Sequence, residues 1–280
     1  MYKSLDHCYN FSELRKLAKR RLPGPIFHYI DGAAEDEITY KRNTSCFDDC
    51  DLVPNVLSGV AEVDMSVEVL GCRLEMPIFC SPTALQRLFH YEGERAVALA
   101  AQKYGTLFGV SSLGTVSLQE IDRLIKAPKL FQLYFHKDRA LNAFMLEKAR
   151  EANFDIMALT VDTITGGNRE RDLRTGFTSP PTLNLNSIFE FMIKPAWALN
   201  YFFREKFSLP QLQNHVDEGT STAISVGEYF SSMLDQDLNW DDVANLRQDW
   251  RGKFCLKGIM SPTDAIKAVE LGADAIMVSN

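Results

Sequence analysis

The sequence predicts an α/β chain of the (β/α)8 TIM-barrel class, incomplete, with about six of eight strands present and a helical segment in front. From residue 76 onward, short apolar runs of strand character alternate with helical patterns closed by turn residues. Two of these runs repeat: Asp155-Ile156-Met157-Ala158-Leu159-Thr160 resembles Asp274-Ala275-Ile276-Met277-Val278-Ser279 in position and pattern. The G-x-G-x-x-G motif that a dinucleotide-binding open sheet carries after its first strand does not occur, which favours a barrel.

At the N-terminus, 11–22 reads as a helix with Ser12 as N-cap, ending before Pro23-Gly24-Pro25, and 26–34 as a second helical piece containing Tyr29. Strands are expected at 76–81, 107–112, 130–135, 156–163, 253–259 and 275–279. The helices between them fall at 93–104, stopped by Gly105, then 117–125, 140–152 and 240–250. A last helix opens at Ser261-Pro262-Thr263-Asp264, with serine as cap and proline at the first position, and ends at Gly272. The division is therefore a lead-in over 1–75 and a partial barrel over 76–280, with an insertion at about 164–238.

A chain of 280 residues, 46% hydrophobic, buries a sizeable core. A formal charge of −7 argues against a nucleic-acid surface, which needs concentrated basic charge, and favours a small-molecule partner. Six cysteines without C-x-x-C spacing or a histidine pair support neither a metal site nor a disulfide framework. With no signal-peptide run and no apolar stretch of ~18 residues, a cytoplasmic location is expected. The aromatic-rich insertion segment 188–203, interrupted by Glu190, Lys194 and Pro195, suits either packing beneath an active-site loop or peripheral contact with the inner face of a membrane.

Strand parity locates the chemistry. In 156–163, Met157, Leu159 and Val161 share one face, while Ala158, Thr160 and Asp162 share the other, which turns polar toward the strand end. The same parity gathers Gln132 with Tyr134, Ser111 with Gly109, Lys257 with Cys255, and Ser279 with Met277. Barrel enzymes place their sites at these C-terminal strand ends. Hydroxyls, an amide, a phenol, a carboxylate and a cation make a poor metal site but suit a large planar cofactor with many carbonyl and nitrogen edges. A lysine at a barrel strand end also fits a Schiff-base aldolase, which remains an alternative.

The motifs Ser81-Pro82-Thr83-Ala84-Leu85-Gln86, Ser111-Ser112, Phe131-Gln132-Leu133-Tyr134, Leu159-Thr160-Val161-Asp162-Thr163, Arg169-Glu170-Arg171-Asp172 and Leu256-Lys257-Gly258 together resemble the FMN-dependent α-hydroxy-acid dehydrogenase/oxidase family over essentially the whole chain. The resemblance implies that Pro82, Thr83, Ala84, Ser111, Gln132, Thr160, Lys257 and Ser279 contact FMN. It implies that Tyr29 and Tyr134 bind the substrate, that Arg169 assists from a loop, and that Asp162 orients a catalytic histidine. Arg171 is expected to be a solvated charge, and Leu113 to lie near the substrate side chain. The implied reaction is oxidation of an L-2-hydroxy acid, L-lactate to pyruvate, with electrons passed to a quinone or cytochrome acceptor; an O2-using, glycolate-oxidase-like enzyme is the alternative. A homo-oligomer is expected of the full-length protein.

In the family the histidine sits in a Ser-Asn-His-Gly-Gly-Arg motif, of which this sequence contains Ser279-Asn280. The expectation is a C-terminally truncated chain lacking that histidine, the arginine after it and two strands, and the truncated form could be an inactive remnant. His136 is not expected to substitute.

Overall fold

The computed structural model describes residues 4–163, 165–177, 185–205, 208–212 and 232–279. Ser179-Pro180-Pro181, Asn280 and much of the expected insertion lie outside these residues. Asn10, and not Ser12, caps the first helix, Phe11–Arg21 (α1): its side chain accepts the Glu13 backbone N–H at 3.0 Å. Asn10 has the extended backbone that an N-cap requires, whereas Ser12 already lies inside the helix. The second helix, Gly24–Asp31 (α2), carries Pro25 in its first turn and ends where Gly32 turns extended, ahead of the expected end at 34. A third, Ile38–Ser45 (α3), was not evident in the sequence.

An antiparallel hairpin joins Val67–Val69 (β1) to Cys72–Leu74 (β2). Leu70 and Gly71 turn it with φ values of 53° and 75°, the pair of positive angles that matches the twist of a two-residue hairpin. Five parallel strands follow: Phe108–Ser111 (β3), Lys129–Tyr134 (β4), Ile156–Thr160 (β5), Lys253–Lys257 (β6) and Ala275–Met277 (β7), ordered β3-β4-β5-β6-β7. The strand expected at 76–81 is reduced to one parallel bridge, Cys80 to Phe108. Pro77 and Pro82 bracket it and cannot donate to a ladder, which confines pairing to the residues between them.

Helices Glu94–Lys103, Leu118–Leu124, Arg139–Glu151, Trp240–Asp249 and Pro262–Glu270 alternate with these strands. Side chains cap four of them: Ser117, Asp138, Asn239 and Ser261. The architecture is a partial, unclosed (β/α) barrel. Its two cores follow the predicted parity. Phe131, Leu133, Met157, Leu159, Phe254 and Leu256 face outward onto the helices. Leu130, Ile156, Ala158 and Cys255 face inward, where Leu74, Val67 and Leu70 of the hairpin close the floor.

His136 is a structural residue. It is fully buried, its backbone N–H donates to Asn142 Oδ1 at 2.9 Å, and its Nδ1 lies 3.1 Å from the same oxygen. Burial pushes the imidazole from 6.5 down to about 4. Between those values the unfolded chain binds a proton that the folded chain refuses. Stability from this group is therefore complete above about pH 6.5 and falls as pH drops toward about 4, by about 3 kcal/mol. Urea melts across that range check this, and His136→Gln should remove the slope even if it lowers stability throughout.

Glu94, at the head of helix Glu94–Lys103, is a second buried titratable group, and no motif in the sequence marks it. Its carboxylate accepts the Thr115 N–H at 2.7 Å and the Thr115 hydroxyl at 2.6 Å, while burial raises its pKa. It ties helix Glu94–Lys103 to the turn after β3.

Candidate active site

The strand ends converge because the ladder registers place them side by side. Ser111 lies opposite Gln132, Tyr134 opposite Thr160, Thr160 opposite Lys257, and Lys257 opposite Met277. Gln132 is the hub. Its Oε1 accepts the Ser111 hydroxyl at 2.8 Å, and its Nε2 donates to Thr160 Oγ1 at 2.7 Å. The direct neighbour of Gln132 on β5 is Ala158, whose methyl group leaves the amide room to reach Thr160 one inward position further along. All three polar residues are buried. Ser111 Oγ also accepts the Leu113 N–H at 3.1 Å, which fixes the turn leaving β3.

The loop after the Cys80 bridge closes over β3. A Cβ on Gly109 would lie 2.7 Å from Pro82 Cδ and 2.9 Å from its nitrogen, so Pro82 sits directly on that glycine. Thr83 is exposed and donates its hydroxyl to the Ser81 carbonyl at 3.3 Å, while Ala84 is half-buried. Gly258, at φ +104°, brings backbone against Asp162: a Cβ there would stand 2.5 Å from the carboxyl carbon. Lys257 is half-buried beside Cys255, and no side chain among the described residues bonds its ammonium. Ser279 is half-buried just past β7.

Tyr134 is pushed up to about 12, first by burial and then by the Asp162 charge. Burial raises Tyr29 as well, against a smaller opposing effect of Arg169. Both phenols therefore stay protonated at neutral pH and act as hydrogen-bond donors. Tyr29 tilts against Phe177 with ring centroids 4.9 Å apart and carries the Arg169 guanidinium 5.1 Å above its own ring. Arg169 also donates to the Tyr29 carbonyl and, from Nε, to Asp172 at 2.6 Å. The loop arginine is thereby fastened to α2 before any ligand arrives.

Two sequence expectations fail. Arg171 is not a solvated charge: it bonds Asp31 at 2.9 Å and Glu37 at 2.6 Å, and Asp31 in turn binds Arg15. A single charged run cannot reveal carboxylates contributed from over a hundred residues away. Leu113 does not face the open strand ends; it is buried in the outer, helix-facing core, because the turn after β3 points it away.

Hydroxyls, a carboxamide and an ammonium along a curved parallel sheet suit the carbonyl and nitrogen edges of a flavin ring. Gln132 keeps one N–H and Thr160 its hydroxyl proton for such a ligand. Among the described residues no group of three histidine, cysteine or acidic side chains could hold a metal. Fold and donor set define the class of cofactor-dependent barrel oxidoreductases. The chain belongs to the FMN-dependent dehydrogenase family, whose description fits residues 18–280.

Relatives within the family differ in their acids. An L-lactate dehydrogenase of Vibrio parahaemolyticus is 35% identical over 96% of this chain and 71% of its own length. Glycolate oxidase 3 of Oryza sativa is 35% identical over 97% of this chain and 68% of its own. The crystal structure of (S)-mandelate dehydrogenase, described as a monotopic membrane protein, superposes with a TM-score of 0.89 at 31% identity, over 98% of this chain and 72% of that one. A Mycobacterium tuberculosis relative is matched over 63% of its length, so the chain spans roughly two thirds of the curated relatives.

Proposed function

We propose that the protein oxidises a short L-2-hydroxy acid, L-lactate, with FMN as cofactor, and passes the electrons to a respiratory acceptor. The observation that carries this reading is the buried Ser111–Gln132–Thr160 hydrogen-bonded row beside Lys257, in a chain of this family. FMN, when bound, supplies a two-electron acceptor for the substrate's α-hydrogen. Gln132, Thr160, Ser111 and Ser279, with the backbone of Pro82, Thr83 and Ala84, hold the ring. Lys257 places a positive charge at the ring edge, a charge-assisted contact of roughly 1.5–3 kcal/mol. Tyr29 and Tyr134 donate to the substrate carboxylate or hydroxyl, and Arg169 adds positive charge from above Tyr29. In a form that carries the histidine of the Ser-Asn-His-Gly-Gly-Arg motif after Asn280, Asp162 would orient that histidine and stabilise it as the imidazolium formed when it takes the hydroxyl proton. His136 does not serve as that base, since it is buried against Asn142.

Titration of the chain with FMN tests the reading: saturable quenching of flavin fluorescence at one site per chain is expected. Unchanged fluorescence overturns it. L-lactate, glycolate and (S)-mandelate offered anaerobically to a form extended past Asn280 rank the acids by flavin bleaching, and reoxidation by quinone against O2 identifies the acceptor.

Peripheral membrane contact through the insertion forms part of this proposal. In helices Leu185–Met192 and Pro195–Phe203, Phe191, Trp197 and Tyr201 pack on Leu22, Ile26 and Leu88, and Trp197 Nε1 donates to the Leu88 carbonyl at 2.8 Å. Phe189, Met192, Ile193, Leu199 and Phe203 remain exposed, Phe203 at 81%. No helix among the described residues is long and apolar enough to cross a membrane. Burying an exposed phenylalanine is worth about 1.5–3 kcal/mol, so Phe189→Asp with Phe203→Asp should lower binding to anionic phospholipid vesicles by more than about tenfold in co-sedimentation.

A further inference from the structure

The guanidinium of Arg171 lies between two carboxylates of the lead-in. Its Nη1 donates to Asp31 Oδ2 at 2.9 Å, and its Nη2 to Glu37 Oε2 at 2.6 Å. Both acids are largely hidden, their side chains 9% and 10% exposed, so each needs a partner to offset its lost hydration. Asp31 has a second partner in Arg15 of α1. Among the described residues Glu37 has Arg171 as its only ion-pair partner, and its Oε1 accepts the Ala33 N–H at 3.0 Å.

The lead-in is bent to meet this arginine. Glu35 and Glu37 hold left-handed backbone, at φ 50° and 56°, which residues with side chains keep only where surrounding contacts enforce it. Those contacts come from the segment 165–177. The Glu35 N–H donates to the Asn168 carbonyl at 2.9 Å, and a Cβ on Gly167 would lie 3.1 Å from that of Ala34. Arg169, two residues before Arg171, reaches the Tyr29 carbonyl and stands over the Tyr29 ring. Its hold on α2 is a bond to a neutral carbonyl and a ring contact. The hold of Arg171 is two charge-assisted bonds, each about twice as strong as a neutral one.

We propose that Arg171 is a positioning residue for substrate binding: by bridging Asp31 and Glu37 it fastens helix Glu170–Thr175 to the end of α2 and the cap of α3, and so holds Arg169 above Tyr29. The inference rests on the reading of Tyr29 and Arg169 as substrate-binding groups. A clamp that served stability alone would not act through Arg169.

Two measurements test it. In the 280-residue chain without flavin, Arg171→Met should speed amide exchange at Glu35 by at least about tenfold. Arg171→Lys, which keeps the charge but loses the two-pronged fork, should fall between it and the wild type. In the form extended past Asn280 and loaded with FMN, Arg171→Met should raise KM for L-lactate by about tenfold and change kcat by less than about threefold. Added to Arg169→Met, it should raise KM by no more than about twofold further, because residues acting through one another are not additive. Arg174→Met, on the same helix with an exposed guanidinium, should leave KM unchanged. Unchanged Glu35 exchange in Arg171→Met overturns the proposal, and so do fully additive effects of the Arg169 and Arg171 substitutions. Should Arg171→Met fail to fold, Arg171→Lys carries the same two comparisons. A wild type that neither binds FMN nor oxidises L-lactate overturns the functional reading alone, and Glu35 exchange then decides by itself whether Arg171 fastens the loop.

Discussion

Replacing Gln132 with leucine should weaken FMN binding by roughly 10- to 100-fold and destabilise the chain by about 1–3 kcal/mol. The two effects share a cause. Leucine removes the acceptor for the Ser111 hydroxyl and the donor to Thr160, both buried, and buried polar groups left unpaired keep their full desolvation cost. Ser111 retains its bond from the Leu113 N–H, which limits the structural loss. The ring loses the remaining Gln132 N–H and the alignment of Thr160, each lost bond being worth about a factor of ten at the upper end. Fluorescence titration and urea unfolding separate the two effects. A variant that loses stability but binds FMN like the wild type would remove Gln132 from the proposed cofactor site.

Gly258→Ala should cost about 2–4 kcal/mol. The residue sits at φ +104°, where a side chain is strained, and its Cβ would stand 2.5–2.8 Å from Asp162 carboxyl and β-carbon atoms. Relief requires Asp162 to swing away from the strand end. In the extended form, activity should therefore fall by more than the stability loss explains. Thermal melts, together with turnover measured well below the melting temperature, test this. Unchanged turnover would mean that the position of Asp162 is unimportant to the reaction.

The inward and outward faces of β4, β5 and β6 were legible because strict alternation of side chains survives in a strand paired on both sides. The same alternation places Ser111, Gln132, Thr160 and Lys257 on one face from the sequence alone. What stayed hidden was non-local or lacked a sequence signal. Arg171 finds Asp31 and Glu37 only after the chain has folded back on α2. The β1–β2 turn uses Leu70-Gly71 in place of the Asn-Gly or Asp-Gly that announces such hairpins; Gly71 was the one available clue. The 76–81 segment is apolar enough to pair along its length, yet two prolines limit it to Cys80. Nothing local marks Glu94, since its partner Thr115 lies beyond the next strand.

The hairpin floor carries a consequence for the order of assembly. Its docking surface is assembled from Leu107, just before β3, and from Leu130, Ile156 and Cys255 of β4, β5 and β6, residues spread over about 150 positions of the sequence. The seat of Leu74 is therefore complete only once β6 has joined β5, although the hairpin is synthesised long before. Contacts of such long sequence separation form late, after most of the loop-closure entropy has been spent. During synthesis the Val67–Leu74 segment waits unseated, and its arrival reports that the inner wall of the sheet has formed.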